Sequence, residues 1–124
     1  ALWGLHNYSD TNRFSSTRTR AILAAVPGDV WLTETGGIVK FGGAFPNNRG
    51  SGLARAAKAL GYMFGLASTN SRIRRLYVYQ WTGGTSSTIF DSGLTDARHH
   101  PRPGYVIVCA HMHVSHCRVK VSSH

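Results

Sequence analysis

Short apolar segments of strand type alternate along this chain with stretches of helical periodicity. That order restricts the fold more than any other feature. Leu2 to Tyr8 (LWGLHNY) is apolar first and polar at its C-terminal end, and reads as a short buried strand. Ser9 to Asn12 reads as a turn. Ser15 or Ser16 is placed to cap a helix running to about Val26, with Phe14, Ile22, Ala25 and Val26 on one face and Arg13, Arg18 and Arg20 mostly off it. Pro27-Gly28-Asp29 stops that helix, and Val30-Trp31-Leu32-Thr33 forms a second strand running into Glu34. Gly36 to Gly52 is rich in turn signals and reads as a long loop. From Ser51 a second helix is expected, with Leu53, Ala57, Leu60 and Phe64 on one face and Arg55 and Lys58 pointing elsewhere. Leu76 to Trp81 is β-branched and aromatic and reads as a third strand, with Gly83 to Ser87 a loop after it. Pro101-Arg102-Pro103 opens a last helix with Tyr105, Cys109 and Met112 on one side, although Val106-Ile107-Val108 has strand character.

Strands that alternate with helices pair in parallel through right-handed crossovers, so the fold class is α/β. The chain of 124 residues is one domain at most and can bury a core of its own. No apolar run approaches the roughly 18 residues of a membrane helix, so no membrane partner is expected. No signal peptide is visible and there is no initiator Met, as in a processed or truncated product; the compartment is left unknown. Fourteen Lys and Arg, eleven of them Arg, face five acids, for a net charge of +9. That balance raises nucleic acid as a partner, but the basic residues are dispersed and the densest group is Arg72, Arg74 and Arg75, so this rival is disfavoured. Cys109 and Cys117 make no disulfide framework.

All three strands end in polar or aromatic chemistry: His6-Asn7-Tyr8, Thr33-Glu34-Thr35 and Gln80-Trp81-Thr82. In α/β folds, ligand and catalytic groups sit at the C-terminal ends of strands. Glu34 is the one Glu in the chain, beside Asp10, Asp29, Asp91 and Asp96, so any carboxylate mechanism has few candidates. Asp91 and Asp96 lie in a Ser, Gly and Thr-rich loop, where turn capping is the usual role.

A His-x-Tyr segment after one strand, a Glu after the next and a Trp after the third resemble the C-terminal half of a clan A retaining glycoside hydrolase. This is the (β/α)8 group that includes cellulases, mannanases and xylosidases. WLTETGG (31–37) resembles the nucleophile strand of that clan, YVYQWTGG (77–84) its eighth strand, and FDSGLTDARHHPRPGY (90–105) the approach to its last helix. The resemblance covers roughly residues 3 to 108. It implies a partial TIM barrel of about the last three βα units, strands six to eight, over 1–108, followed by an unmatched His- and Cys-containing tail at 109–124.

The activity so implied is hydrolysis of a β-linked polysaccharide or glycoside with retention. Glu34 is then the nucleophile and Tyr8 its hydrogen-bond partner. His6 and Trp81 are substrate contacts, Trp81 as the sugar platform, with Asn7 and Gln80 beside them; Trp31 lies deeper and is a packing residue. Retaining hydrolysis needs a second carboxyl about 5–5.5 Å away. In the clan that acid/base Glu follows an Asn, and this chain has no Asn-Glu pair. An eight-stranded barrel takes about 250 residues. The isolated chain is therefore expected to be inactive on ordinary glycosides and to self-associate or partner a missing N-terminal barrel half. No cofactor is implied. His111, His113, His116 and Cys117 match no zinc module, and no physiological metal is expected. A non-catalytic sugar-binding half-barrel is the rival reading.

Overall fold

The computed structural model describes residues 1–113; His116 and Cys117, at which no physiological metal is expected, lie outside them. Three strands, β1 (Leu2–His6), β2 (Asp29–Thr35) and β4 (Ile73–Val78), form a parallel sheet in the order β1-β2-β4. The first crossover carries α1 (Tyr8–Asn12) and α2 (Thr17–Ala25), and the second carries α3 (Ser51–Ser68). A short antiparallel ribbon pairs β3 (Lys40–Phe41) with β5 (Phe90–Asp91), and α4 (Pro103–His111) closes the described chain. The result is mixed α/β with a parallel sheet. Among the described residues the sheet is open, not a closed barrel.

Period-two alternation on β2 separates two environments. Val30 and Leu32 are fully buried. Trp31 faces the other way, with Tyr77 at 6.1 Å and the Arg75 guanidinium 4.8 Å over its ring. Trp31 is thus half-buried among the residues of the open sheet face.

α3 is wide-faced. Gly52, Ala56 and Ala59 let it approach closely, while Leu53, Leu60, Met63 and Leu66 supply apolar volume. Leu60 and Met63 meet Leu94 and Val108 in the main cluster, flanked by Phe64, Leu76, Val78 and Tyr105. Arg55 does not point to solvent: its guanidinium donates to the carbonyls of Pro46 at 2.9 Å and Val39 at 3.0 Å, pinning the long loop to the helix.

Several sequence expectations are corrected. Ser9–Asn12 is not a plain turn but most of α1, because Asp10 turns inward and its Oδ2 accepts the Thr19 N–H at 2.6 Å. That N–H belongs to the first turn of α2, where it has no helical partner, so a carboxylate from the preceding helix caps it; Ser15 Oγ accepts the Thr17 N–H at 3.2 Å, as expected, while Ser16 makes no side-chain cap. α2 buries Thr19 and Leu23, not Ile22 and Ala25. Phe14 precedes that helix at φ 53 and packs edge-on against Tyr62 of α3 instead.

The third strand starts at Ile73 and ends at Val78, three residues earlier at each end than its composition suggests. The Arg72 guanidinium sets this register. It donates to Leu23 O at 2.6 Å, Gly28 O at 2.7 Å and Val26 O, so the end of α2 and the start of β4 are tied together. Val106-Ile107-Val108 is helical, with Pro103 at the first turn of α4, where its missing N–H costs nothing. α4 continues to His111, across the expected boundary at 108/109, and Cys109 on it is buried and disulfide-bonded.

Candidate functional site

Parallel pairing sets His6 of β1 opposite Glu34 of β2 at the C-terminal end of the sheet. The chain leaves β1 directly into α1, whose first residue is Tyr8. The Tyr8 hydroxyl donates to Glu34 Oε1 at 3.0 Å, and His6 Nδ1 lies 3.5 Å from Oε2. One carboxylate therefore has a phenol on one oxygen and an imidazole near the other. Glu34 is about one-third exposed, so the group is held but reachable. Burial, then the hydrogen bond and negative charge of Glu34, push the Tyr8 hydroxyl well above the ordinary tyrosine range. It stays protonated at all ordinary pH and serves Glu34 as a fixed donor.

The backbone here depends on two close approaches. A side chain at Gly36 would meet Tyr79 O at 2.4 Å, and one at Gly37 would meet Ala56 O at 2.2 Å. The Gly-Gly pair after Glu34 lets β2 run out between the Tyr79 segment and α3. Asn12 locks the same segment: its Nδ2 donates to Tyr8 O at 2.9 Å and Gly36 O at 2.8 Å, and its Oδ1 accepts Ile38 N–H at 2.6 Å. Sequence reasoning missed Asn12, since a lone Asn in a polar stretch carries no signal.

Other expected site residues sit apart from this carboxylate. Asn7 is buried, and its amide bonds Thr19 and Thr11, tying α1 to α2. Trp81 is 60% exposed and packs edge-on against Tyr105 at 5.5 Å, on the α4 side. Gln80 follows a cis peptide bond, and its backbone N–H and C=O pair with Ser92 and Leu94. Aromatic rings do lie beside Tyr8, but they are Phe90 at 5.5 Å and, around Phe90, Phe41 at 5.2 Å and Tyr79 at 6.3 Å. The β3–β5 ribbon brings them there, and no local pattern announces it.

The aspartates are occupied or distant. Asp10 caps α2. Asp29 opens β2 at the opposite end of the sheet. Asp91 accepts from Arg102, and Asp96 accepts the N–H groups of Arg98 and His100 as a turn cap. His111 stacks on Phe64 at 4.2 Å, and no group of potential metal ligands occurs among the described residues. None of their helices is long and apolar enough to cross a membrane.

No family model matches this chain, and no curated protein does. Among solved structures, it is similar to xylanase 10B from Thermotoga petrophila RKU-1 in complex with xylobiose, at 16% identity with a TM-score of 0.51. The match covers 88% of this chain and 33% of the xylanase, so the chain spans about a third of that protein's length. At this identity the likeness is one of fold alone: the mixed α/β chain with its parallel sheet resembles a stretch of that enzyme.

Proposed function

We propose that this chain forms the last three βα units of a retaining glycoside hydrolase barrel acting on a β-linked glycoside, with Glu34 as nucleophile. The observation that carries this reading is the Tyr8–Glu34 hydrogen bond at 3.0 Å at the C-terminal end of adjacent parallel strands. A carboxylate oriented there by a permanent donor keeps its other oxygen for attack at an anomeric carbon. His6, near that second oxygen, contacts sugar hydroxyls, and Trp81 and Gln80 lie further along the same end as subsite residues. The acid/base carboxyl comes from outside this chain, since none of the described aspartates is free beside Glu34. A non-catalytic sugar-binding role is the second reading, and that missing second carboxyl is what favours it.

A fluorosugar with an activated leaving group needs no protonation and tests the nucleophile alone. Incubated with the chain, it is expected to attach covalently to Glu34, as read by mass spectrometry of peptides. Glu34→Gln should abolish labelling while leaving thermal unfolding unchanged. Labelling at an aspartate, or undiminished labelling of Glu34→Gln, moves the nucleophile elsewhere. No labelling at all leaves the sugar-binding reading in its place.

A further inference from the structure

A concavity of about 1200 Å³ is lined by Lys40 and Asp91 of the β3–β5 ribbon. Successive residues of a ribbon face opposite ways. Phe90 turns to Tyr8, while its neighbour Asp91 and the paired Lys40 line this groove. Lys40, Arg49 and Arg98 bring three cations to its walls, with His100 beside them. The groove's two carboxylates are already engaged: Asp91 by Arg102, and Asp96 by His100 Nδ1 at 3.1 Å and by backbone N–H groups. Lys40 Nζ donates to Ser86 O at 2.6 Å. Arg49 and Arg98 are exposed, and among the described residues neither guanidinium has a hydrogen-bonding or ion-pair partner. Arg49 sits in the left-handed region at φ 54, a conformation that a non-glycine residue adopts at a cost. The groove thus presents unpaired guanidinium groups with Asn47, Asn48, Thr85 and Ser86, a lining suited to carboxylates and hydroxyls together.

We propose that this groove binds the carboxylate groups of an acidic, uronate-bearing polysaccharide. The proposal rests on the reading of the chain as carbohydrate-active and names the substrate class. The polysaccharide's carboxylates pair with Lys40, Arg49 and Arg98 on the groove walls. Nucleic acid fits less well. Single strands are gripped by aromatic platforms as well as charge, and no Phe, Tyr or Trp is among the lining residues.

Titration of the full 124-residue chain with a short oligogalacturonate tests this, with a neutral cello-oligosaccharide and a short single-stranded oligonucleotide as comparators. The acidic sugar is expected to bind about tenfold tighter than the neutral one, and Arg49→Gln and Arg98→Gln are each expected to weaken it about fivefold. Arg74→Gln removes the same charge from β4, away from the groove, and should change nothing. Equal affinity for both sugars, an Arg74→Gln loss as large as the others, or undiminished binding by the Arg49→Gln/Arg98→Gln double variant overturns the proposal. So does tighter binding of the oligonucleotide. Binding without Glu34 labelling sinks the hydrolase reading alone, and labelling without binding sinks the groove alone.

Discussion

Arg102 and Asp91 form a bidentate ion pair, with Nη1 to Oδ1 at 2.8 Å and Nη2 to Oδ2 at 3.0 Å, both side chains about 95% buried. Asp91 also accepts the N–H groups of Gly93 at 2.9 Å and Gly84 at 3.2 Å, and Arg102 Nη1 also donates to Gly93 O. The pair joins the β5 ribbon, the 83–95 loop and the start of α4. A buried charge whose partner is removed is left without water or counter-ion, and this outweighs the attraction gained when the pair forms.

Asp91→Asn and Arg102→Met are therefore each expected to destabilise the chain by about 3–5 kcal/mol in denaturant titrations, while replacing both with apolar residues costs less than either single change. Burial by itself would raise the Asp91 carboxyl. The Arg102 hydrogen bonds and charge, with the Gly93 and Gly84 N–H groups, outweigh it and hold the group below the ordinary 3.8. A depressed carboxylate contributes its stability above the unfolded-state pKa and loses it as pH falls through the folded value. Stability should then drop below about pH 4, and the drop should be smaller in the doubly apolar variant. An unchanged acid transition in that variant would assign acid unfolding to other groups.

Tyr8→Phe keeps the ring against Phe90 and removes one donor from Glu34. A hydrogen bond to a charged group contributes about 1.5–3 kcal/mol, so labelling of Glu34 by the activated fluorosugar should slow at least about tenfold. The sign of the alkaline effect follows from the raised Tyr8 hydroxyl. The unfolded chain ionises at its ordinary 10.0 while the folded one does not, so stability falls as pH rises above about 10. In Tyr8→Phe that alkaline fall, followed by circular dichroism, should be smaller.

Gly36→Ala and Gly37→Ala each drive a methyl group into a backbone carbonyl that cannot rotate away, at Tyr79 and Ala56 respectively. Overpacking of this kind costs about 1–3 kcal/mol. Both variants should melt at lower temperature. Gly43→Ala, where nothing lies within 4 Å, should melt like the parent and serves as the control.

β1 and β4 are the edges of the described sheet, and Leu2, Trp3 and Tyr77 on them are largely exposed. Unpaired edges and exposed apolar surface favour pairing with another chain. Sedimentation velocity is expected to show concentration-dependent association at micromolar levels, reduced in Tyr77→Lys. A monomer over the whole range would argue that the edges are self-sufficient.

The order of elements was legible in the sequence because helical and strand periodicities are local. The apolar spacing from Leu53 to Phe64 announces α3, Val30 to Leu32 announces β2, and a lone Glu at a strand end marks the candidate site. Tyr8 and Glu34 were both legible as residues, and parallel pairing of β1 with β2 was enough to bring them together. Only the tertiary structure decided the use of the remaining polar groups. Asn7 and Asn12 look alike in sequence, yet one is spent holding α2 and the other holds the Gly36–Ile38 backbone. Arg72 and Arg74 belong to the same short basic group by sequence, but Arg72 gathers carbonyls as many as 49 residues away. Phe90, rather than Trp81, meets Tyr8, because the ribbon that carries it folds back across the end of the sheet. A long-range polar or ring contact depends on where the crossovers return the chain. Periodicity carries no record of that, since the same residue satisfies its spacing rule whether it faces solvent, a carbonyl or another ring.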